Sequence, residues 1–404
     1  MSEEKKVSRP TRERKVRVKD RTALAPEAPK EKKIVRLRSD VDRPFLLLVI
    51  LLVCIGTTMV FSASYAYAKQ NYDGDSYYFS IRQIVWAVVA MIGMAIFTKI
   101  DYLIIKRFTV LFCIIALGTM VAVWVPGLGV VRNGARRWIN IGISTMQPSE
   151  LLKVAVVLFF SDFIARNRKN MHTFRVGVLP FGIVAVVSAG LLIIQPHLSA
   201  TIIVLILIFL MMYLGGTRKL YLGVLGLVAA AGMSVVIFFT SHGRERLEVW
   251  LNPQEYLQGA GWQPQQSLYA IGSGGLWGVG LGQSRQKHLY LPEPQNDYIF
   301  SILCEEMGFI FAAFVVLLFV LLIWRGFYIA RNAPTQYASL VVFGLTSHIA
   351  VQVFLNLAVV TNSIPSTGVS LPFFSYGGTS LLFCLAEMGI ILNISRYSYL
   401  SEEE

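Results

Sequence analysis

The stretch QPQQSLYAIGSGGLWGVGLGQSRQKHLYLPEPQNDYIF, residues 263–300, joins a long polar loop to an apolar run that begins at Tyr298. It contains six glycines, continues through basic and aromatic residues, and reaches an acid at Asp297. Asp297 therefore stands where water gives way to an apolar environment. Desolvation disfavours a charged carboxylate, so its pKa should rise, and it could act as a base near neutral pH. An acid here also fits a helix cap, and position alone favours the cap.

Composition identifies the chain as a membrane protein that crosses the bilayer several times. Of its 404 residues, 55% are hydrophobic and only 15% are charged. Soluble domains have about 25% charged residues, so this chain cannot cover a fully solvated surface. Ten apolar runs have about the length that a spanning helix needs. The predicted spans are 44–64, 82–99, 107–125, 148–165, 176–194, 198–214, 220–240, 298–324, 338–360 and 377–394.

The distribution of basic residues predicts how the chain is oriented. An even number of spans puts both ends on one side, and the basic loops belong in the cytoplasm. We therefore predict an all-α polytopic membrane protein with ten transmembrane helices and both termini cytoplasmic. The polar loops 126–147, 241–297 and 361–376 then face outward, and the large loop 241–297 joins helices 7 and 8.

The two ends of the chain differ from the membrane domain, residues 44–396. Residues 1–43 are rich in Lys and Arg, which predicts a disordered cytoplasmic tail, and residues 397–404 form a second cytoplasmic tail. Much of the net charge of +13 lies in the first tail. Because that tail leads straight into a span, attraction to anionic lipid is favoured over nucleic-acid binding. The four cysteines and five histidines show no metal-ligand spacing.

Three arginines break the expected charge pattern. Arg132, Arg136 and Arg137 lie in the external loop 126–147, where basic residues are disfavoured. A guanidinium group suits phosphate because it can donate two parallel hydrogen bonds. Lipid headgroups would satisfy these side chains equally well, so charge alone leaves a phosphate-containing ligand and the membrane surface open.

Charged residues inside the predicted spans also point to function. Pro148 and Glu150 resemble a helix start. Glu150 and Lys153 share a helix face, so they form either a functional site or a local ion pair. Glu305 and Glu306 fall inside the eighth span, where they need partners or form a structural ion pair. The candidate partners are Arg244, Arg246 and Lys153.

Glycines and prolines predict irregular backbone on the outer side. The glycines of 272–282 would let backbone approach a ligand, or let short helices dip into the membrane. Arg285, Lys287 and His288 then add positive charge near the end of the same loop. Residues 361–376 are apolar but broken by Pro and Gly, which predicts a re-entrant segment before helix 10 that lines a groove.

Three motifs together resemble one protein family. They are NGARRWINIG…QPSELLK at 133–153, SLYAIGSGGLWGVGLGQSRQKHLYLPEPQNDYIF at 267–300 and IPSTGVSLPFFSYGGTS at 364–380. In length, order and spacing they are similar to motifs of the SEDS family (shape, elongation, division and sporulation). The resemblance covers residues 44–396 and is greater to the division and sporulation members than to the elongation member. At His197 the family often has Asp, so we assign this residue no role.

The resemblance implies an activity, partners and an essential residue. SEDS proteins have ten transmembrane helices and are peptidoglycan glycosyltransferases, which polymerise lipid II at the outer face of the bacterial cytoplasmic membrane. The acid of the family's PE-x3-D motif corresponds to Asp297, which now favours a catalytic base over a cap. The family works with a class B penicillin-binding protein, a transpeptidase, and with other division proteins. Candidate substrate-binding residues are Arg132, Arg136, Arg137, Glu150, Lys153, Gln266, Lys287, Glu293 and Ser375.

The expected reaction and its alternatives make different demands on the chain. Asp297 would deprotonate the acceptor 4-hydroxyl, while positive charge stabilises a polyprenyl-pyrophosphate leaving group. Candidates for that charge are Arg136, Arg137, Lys153 and Lys287. A divalent cation, Mg²⁺ or Mn²⁺, is compatible with this step, although the sequence has no legible metal site. A lipid II flippase would instead need polar residues facing one another at mid-membrane, and a pure transpeptidase scaffold would need neither Asp297 nor the arginines.

Overall fold

A computed structural model describes residues 40–397, apart from residues 133, 143 and 258. The side chain of Arg132 is also outside this description. Residues 1–39 of the predicted basic tail and residues 398–404 of the second tail lie outside the described residues as well. Both tail assignments therefore stay predictions.

The described chain is mainly helical, and its first helix starts one residue before the first predicted span. The Asp42 carboxylate caps this helix by accepting a hydrogen bond from the Phe45 N–H at 2.9 Å, and Pro44 stands in the first turn. The α-helices are α1 (Arg43–Asn71), α2 (Tyr78–Lys99), α3 (Tyr102–Arg107), α4 (Thr109–Ala122), α5 (Pro148–Asn167), α6 (Phe174–Gly177), α7 (Leu179–Ile194), α8 (Leu198–Gly215), α9 (Lys219–Phe239), α10 (Ser241–Leu251), α11 (Trp262–Ser273), α12 (Ile299–Arg331), α13 (Gln336–Val360) and α14 (Gly378–Ser395).

Eight helical segments in the described part of the chain are long and apolar enough to cross a membrane. They are α1, α2, α6 with α7, α8, α9, α12, α13 and α14. The two other predicted spans correspond to α4, which has 14 residues, and to α5, whose 20 residues include four charged side chains. The chain is therefore a multi-pass membrane protein, while the count of ten spans stays a prediction.

Two hydrophobic clusters hold the helices together. One is formed mainly by α1, α12, α13 and α14, and the other mainly by α4, α5, α7 and α8. Helices α5 and α8 contribute to both clusters: Val157 and Leu207 belong to the first, and Val156 and Val204 to the second. These two helices therefore connect the two clusters.

A small antiparallel sheet follows α4 and is an exception to the all-α prediction. Strand β1 (Gly129–Arg132) pairs with β2 (Ala135–Asn140), which also pairs with β3 (Thr145–Met146). Valine, isoleucine and tryptophan favour strands, but segments of two to six residues are too short to show a clear alternation. The sheet leads directly into α5, which begins at Pro148 as predicted.

The glycine-rich stretch after α11 packs its backbone directly on α12. The Gly280 N–H donates to the Glu306 carbonyl oxygen at 2.9 Å. A Cβ added to Gly278 would stand 2.2 Å from that same oxygen, and α12 itself kinks at Gly308, whose φ is 76°. These glycines therefore let two backbones approach each other. The two interpretations from the sequence, that these glycines bring backbone to a ligand or let short helices dip into the membrane, stay predictions.

The segment between α13 and α14, residues 361–377, is irregular and partly buried. Phe373 and Phe374 are almost fully buried, and a Cβ on Gly56 of α1 would clash with the Phe373 carbonyl oxygen. Irregular backbone is tolerated at membrane depth where protein surrounds it. The arrangement fits the predicted re-entrant segment, and it brings this segment against the end of the long loop at Asp297.

Candidate active site

The backbone around Asp297 is held by hydrogen bonds from α13 and from residues 361–377. The Asn356 side-chain amide donates to the carbonyl oxygens of Asp297, at 2.8 Å, and of Val369, at 2.6 Å. The Ser375 hydroxyl donates to the Asn296 carbonyl oxygen at 2.9 Å. Ser375, a predicted substrate-binding residue, is thus engaged in fixing the backbone beside the acid.

The Asp297 carboxylate is partly buried and is not a helix cap. Helix α12 begins at Ile299 with Tyr298 as its N-cap residue, and no side chain accepts a capping hydrogen bond there. The cap interpretation was therefore wrong. Among the described residues, no hydrogen bond or ion pair engages this carboxylate. A Cβ on Gly368 would stand 3.3 Å from its Oδ2 atom, so a glycine at this place keeps space beside the acid.

The pKa of Asp297 is raised from 3.8 to about 6. Burial is the largest cause, and the negative charge of Glu293 acts in the same direction. The positive charges of Arg246 and Arg137 oppose the shift. The upward direction expected from the sequence is confirmed. A carboxylate with this pKa is largely ionised at neutral pH and is a stronger base than an ordinary aspartate.

Of Arg136 and Arg137, the two predicted arginines whose side chains are described, Arg137 is the one whose charge lowers the pKa of Asp297. Its guanidinium donates to the Gln195 carbonyl oxygen at 3.1 Å and also to the Pro196 carbonyl oxygen. Strand β2 has a bulge at this point, where Arg137 is the extra residue between Arg136, which pairs with Val131, and Trp138, which pairs with Val130. Arg136 is not among the charges that shift the pKa of Asp297, and the side chain of Arg132 is outside the described residues.

A second guanidinium, Arg246 of α10, also acts on Asp297 and was not predicted as a site residue. It is partly buried, and among the described residues it forms no ion pair with a carboxylate. The alternating charges around it suggested a solvated helix face. That interpretation suits Arg244, which is exposed and pairs with Glu248 at 2.7 Å. Two positions apart on a helix, the two arginines lie on nearly opposite faces, which gives them different surroundings.

Glu150 and Lys153 form the predicted local ion pair, with 2.9 Å between Oε2 and Nζ and both side chains buried. The charge of Lys153 is therefore balanced within α5. Nearby, the Nε2 atom of His197 lies 3.4 Å from the Gln147 side-chain nitrogen. Burial, followed by the charges of Arg137 and Lys153, lowers the pKa of His197 from 6.5 to about 3. This imidazole is therefore neutral at neutral pH and adds no positive charge.

Lys287 forms a buried ion pair with Glu306 of α12, with 2.7 Å between Nζ and Oε1. The neighbouring Glu305 accepts a hydrogen bond from the Arg285 N–H at 2.9 Å. The partners expected from the sequence were Arg244, Arg246 and Lys153. The structure replaces them with groups of the loop that follows the glycines, and it confirms the alternative of a structural ion pair. Lys287 thus fastens this loop to α12.

Two predicted substrate-binding residues remain, Glu293 and Gln266, and they lie in different surroundings from each other. Glu293 accepts a hydrogen bond from the Asn296 side chain at 2.8 Å and acts electrostatically on Asp297. Gln266 is buried on α11, a helix that Ser267 anchors by donating to the carbonyl oxygen at the end of α13, at 2.8 Å. Within the described chain, no hydrogen bond or ion pair joins Gln266 to Asp297.

Asn356 is a further residue of the site that the sequence reasoning missed. It is fully buried in α13, and its amide joins the acid's backbone to residues 361–377. A polar residue inside an apolar span is a recognised sign of function, so the sequence did contain a signal for it. The structure gives no comparable indication of a divalent cation. In the described part of the chain, no group of three or more His, Cys, Asp and Glu residues is placed to hold a metal ion.

The family model for FtsW, RodA and SpoVE, described as a cell cycle protein, matches residues 42–400. The chain belongs to the FtsW/RodA/SpoVE family. The family model spans the whole membrane domain. The matched range includes all three motifs, and also Asn356 and Ser375, which hold the backbone around Asp297. The resemblance to the SEDS family is therefore confirmed, and with it the connection to peptidoglycan synthesis and to cell division or sporulation at family level.

Individual FtsW/RodA/SpoVE relatives align over most of their length. Stage V sporulation protein E of Bacillus subtilis (strain 168) is 44% identical over 360 residues, covering 88% of this chain and 98% of that protein. A probable peptidoglycan glycosyltransferase FtsW of Trichlorobacter lovleyi is 35% identical over 357 residues, covering 88% and 93%. These relatives are a sporulation member and an FtsW, as the sequence analysis expected.

A solved structure shares the fold of this FtsW/RodA/SpoVE chain. It is a chain of a peptidoglycan synthase complex, described in terms of structural coordination of polymerization and crosslinking. The TM-score is 0.72 at 25% sequence identity, and the match covers 88% of this chain and 98% of that chain.

Proposed function

We propose that this protein is a peptidoglycan glycosyltransferase that polymerises lipid II into glycan strands during cell division or sporulation. One observation carries the proposal: a carboxylate with a raised pKa and no hydrogen-bond partner among the described residues, acted on by two arginines. Such a group can take a proton and remain close to positive charge. The names of the FtsW relatives give the same activity.

The proposed step is an inverting displacement at the anomeric carbon of the donor. Asp297 accepts the proton of the 4-hydroxyl of the acceptor GlcNAc. The freed oxygen forms a bond to C1 of the donor MurNAc, while the bond from C1 to the pyrophosphate oxygen breaks. Polyprenyl pyrophosphate leaves with the bonding electron pair. A base on one side and a stabilised leaving group on the other are the two requirements of this step.

The charge for the leaving group comes, in this proposal, from Arg137 and Arg246. Both act on Asp297, and neither is in an ion pair with a carboxylate among the described residues. Lys153 and Lys287 are less suited because each is already paired with a glutamate. A paired lysine has little charge left to stabilise a phosphate group, although it can still shape the site.

The setting of the enzyme follows from its topology. We propose ten spans with both termini cytoplasmic, so that loops 126–147, 241–297 and 361–376 face outward and the acid works at the outer face of the cytoplasmic membrane. A class B penicillin-binding protein is the proposed partner, together with other division proteins. The likeness to a chain of a synthase complex that combines polymerization and crosslinking supports this pairing.

Polymerisation and transport assays separate the enzyme from the flippase. The purified chain, with its cognate class B transpeptidase, is given lipid II in liposomes, and glycan length and lipid crossing are both measured. We expect polymer from the wild type and none from Asp297→Ala. The matched control is Asp75→Asn, at an exposed acid before α2, which should polymerise normally. Lipid II crossing without any polymer would replace the proposal with a transporter.

A further inference from the structure

Aromatic side chains form a contiguous cluster on one side of the candidate site. The members of this outer aromatic cluster are Tyr67, Tyr72, Tyr78, Phe79 and Tyr376. The rings of Tyr72 and Tyr78 are stacked with centroids 3.7 Å apart. Phe79 contacts Tyr72 edge to face at 5.2 Å and Tyr376 at 4.8 Å. The cluster therefore connects the end of α1 and the start of α2 with residues 361–377.

The outer aromatic cluster reaches the backbone and the charges next to the acid. The Tyr376 N–H donates to the Gln295 carbonyl oxygen at 2.8 Å, two residues before Asp297. Glu293 acts electrostatically on both Tyr67 and Asp297. Tyr67 is partly exposed, so its ring presents a free portion of surface. The side chain of Asn296, the residue before Asp297, also donates to Glu293 at 2.8 Å, so this carboxylate belongs to the surroundings of the proposed base.

The cationic and the aromatic groups around Asp297 come from different elements. Arg137 is held by the carbonyl oxygens of Gln195 and Pro196, between α7 and α8, whereas the outer aromatic cluster lies on α1, α2 and residues 361–377. Arg137 and Arg246, from β2 and α10, form a cationic group. Glu293 and Tyr67 form an acidic and aromatic group, contributed by the loop before α12 and by α1. An anionic pyrophosphate is attracted to the first group and repelled by the second. A neutral sugar suits the second group, because a carboxylate accepts hydrogen bonds from hydroxyl groups and an aromatic ring covers apolar C–H groups.

We propose that Glu293, Tyr67 and the adjoining outer aromatic cluster form the subsite for the acceptor, and that they bind its terminal neutral N-acetylhexosamine ring. The inference rests on the proposed function, because in an inverting displacement the attacking hydroxyl and the leaving group lie on opposite sides of the anomeric carbon. With the leaving pyrophosphate at the arginines, the acceptor approaches from the side of Glu293. Its 4-hydroxyl then comes to Asp297 while its ring lies against Tyr67.

A second aromatic group supplies a matched control. Phe61 and Tyr77 are stacked with centroids 5.9 Å apart, and Tyr65 contacts both edge to face. Tyr77 is 53% exposed, and its ring contacts are with these residues of the neighbouring group. Tyrosines of this kind are common at membrane–water interfaces. An interfacial role alone would make Tyr67 and Tyr77 equivalent, whereas the proposed subsite makes them different.

The first test measures sugar binding without catalysis. The probe is the β-1,4-linked tetramer of N-acetylglucosamine, which is neutral and has no lipid or phosphate. Saturation-transfer NMR is recorded with the full chain in lipid nanodiscs, for wild type, Tyr67→Ala and Tyr77→Ala. We expect binding to wild type and to Tyr77→Ala, and a loss of about tenfold in affinity for Tyr67→Ala. Equal binding by all three, or no binding by any, would overturn the subsite.

The second test measures KM and kcat of lipid II polymerisation, which separates an effect on substrate binding from an effect on the chemical step. For Tyr67→Ala we expect the KM to rise about tenfold with kcat within about twofold of wild type. Tyr67→Phe keeps the ring and should recover most of the affinity, and Tyr67→Leu replaces Tyr67→Ala if the latter does not fold. An unchanged KM in the folded variant refutes the subsite but leaves the enzyme intact. Absence of polymer from the wild type refutes the proposed function, and the acceptor subsite with it.

Discussion

The pKa of Asp297 predicts how the polymerisation rate depends on pH. A base acts only in its deprotonated form, so kcat/KM should follow the ionised fraction of this carboxylate. With a pKa of about 6, that fraction is about nine-tenths at pH 7, one half at pH 6 and about one-tenth at pH 5. The rate should therefore fall about tenfold between pH 7 and pH 5. At the ordinary value of 3.8, more than about nine-tenths would still be ionised at pH 5.

The fall of the rate at low pH is the acid limb of the pH profile. Substitutions of the charged residues Glu293 and Arg246 should move this limb in opposite directions. Glu293 raises the pKa of Asp297, so Glu293→Gln lowers that pKa and shifts the limb to lower pH. Arg246 lowers the pKa of Asp297, so Arg246→Gln raises it and shifts the limb to higher pH. Both side chains are also proposed to bind substrate, so the test uses the midpoint of each profile and not the absolute rate.

The assay is the initial rate of lipid II polymerisation from pH 5 to pH 8 at constant ionic strength. Rates at low lipid II concentration report kcat/KM, whose pH dependence belongs to the free enzyme. Thermal unfolding at each pH shows whether the protein stays folded through the range. A wild-type profile that is flat between pH 7 and pH 5, or two variants that shift in the same direction, would refute the assignment of Asp297 as the base.

Three further predictions concern the supports of the site. Lys287→Met should destabilise the protein by ~3–5 kcal/mol because it leaves the buried Glu306 unpaired. The double variant Lys287→Met/Glu306→Leu should recover much of this lost stability. Thermal unfolding measures the stability of both variants. Gly278→Ala should abolish the yield of folded monomer because its Cβ would meet backbone at 2.2 Å, whereas Gly272→Ala, with nothing within 4 Å, should leave the yield unchanged in size-exclusion chromatography. Asn356→Leu should lower kcat about tenfold or more with KM nearly unchanged, because two carbonyl oxygens lose their donor and the acid shifts; unchanged steady-state kinetics would contradict its positioning role.

Hydropathy predicted most of the fold because the bilayer imposes a simple rule on sequence. A spanning segment must be long, apolar and internally hydrogen-bonded, so each predicted span has a counterpart in a helix. The rule does not apply to the outer loops. There the sheet of β1, β2 and β3 was missed, because its strands are short and its stability comes from pairing with one another.

The candidate site was only partly predictable for a related reason. Asp297 was identifiable because its position at the end of a polar loop implies a desolvated carboxylate. Lys287 and Arg246 were harder, because the sequence gives their charge but not their partners. The fold pairs Lys287 with Glu306 and leaves Arg246 beside the acid, the reverse of the expectation that Arg246 neutralises a buried glutamate. Partner choice depends on how the long loop folds back on α12.

The central claim is that Asp297 is the base of a glycan-forming enzyme. Its most direct test compares the initial rate of lipid II polymerisation by the wild type and by Asp297→Asn, an isosteric change, in the presence of the cognate transpeptidase. We predict glycan strands from the wild type and none from a variant whose thermal unfolding matches the wild type. A folded Asp297→Asn protein that still makes glycan strands at a comparable rate would contradict the account.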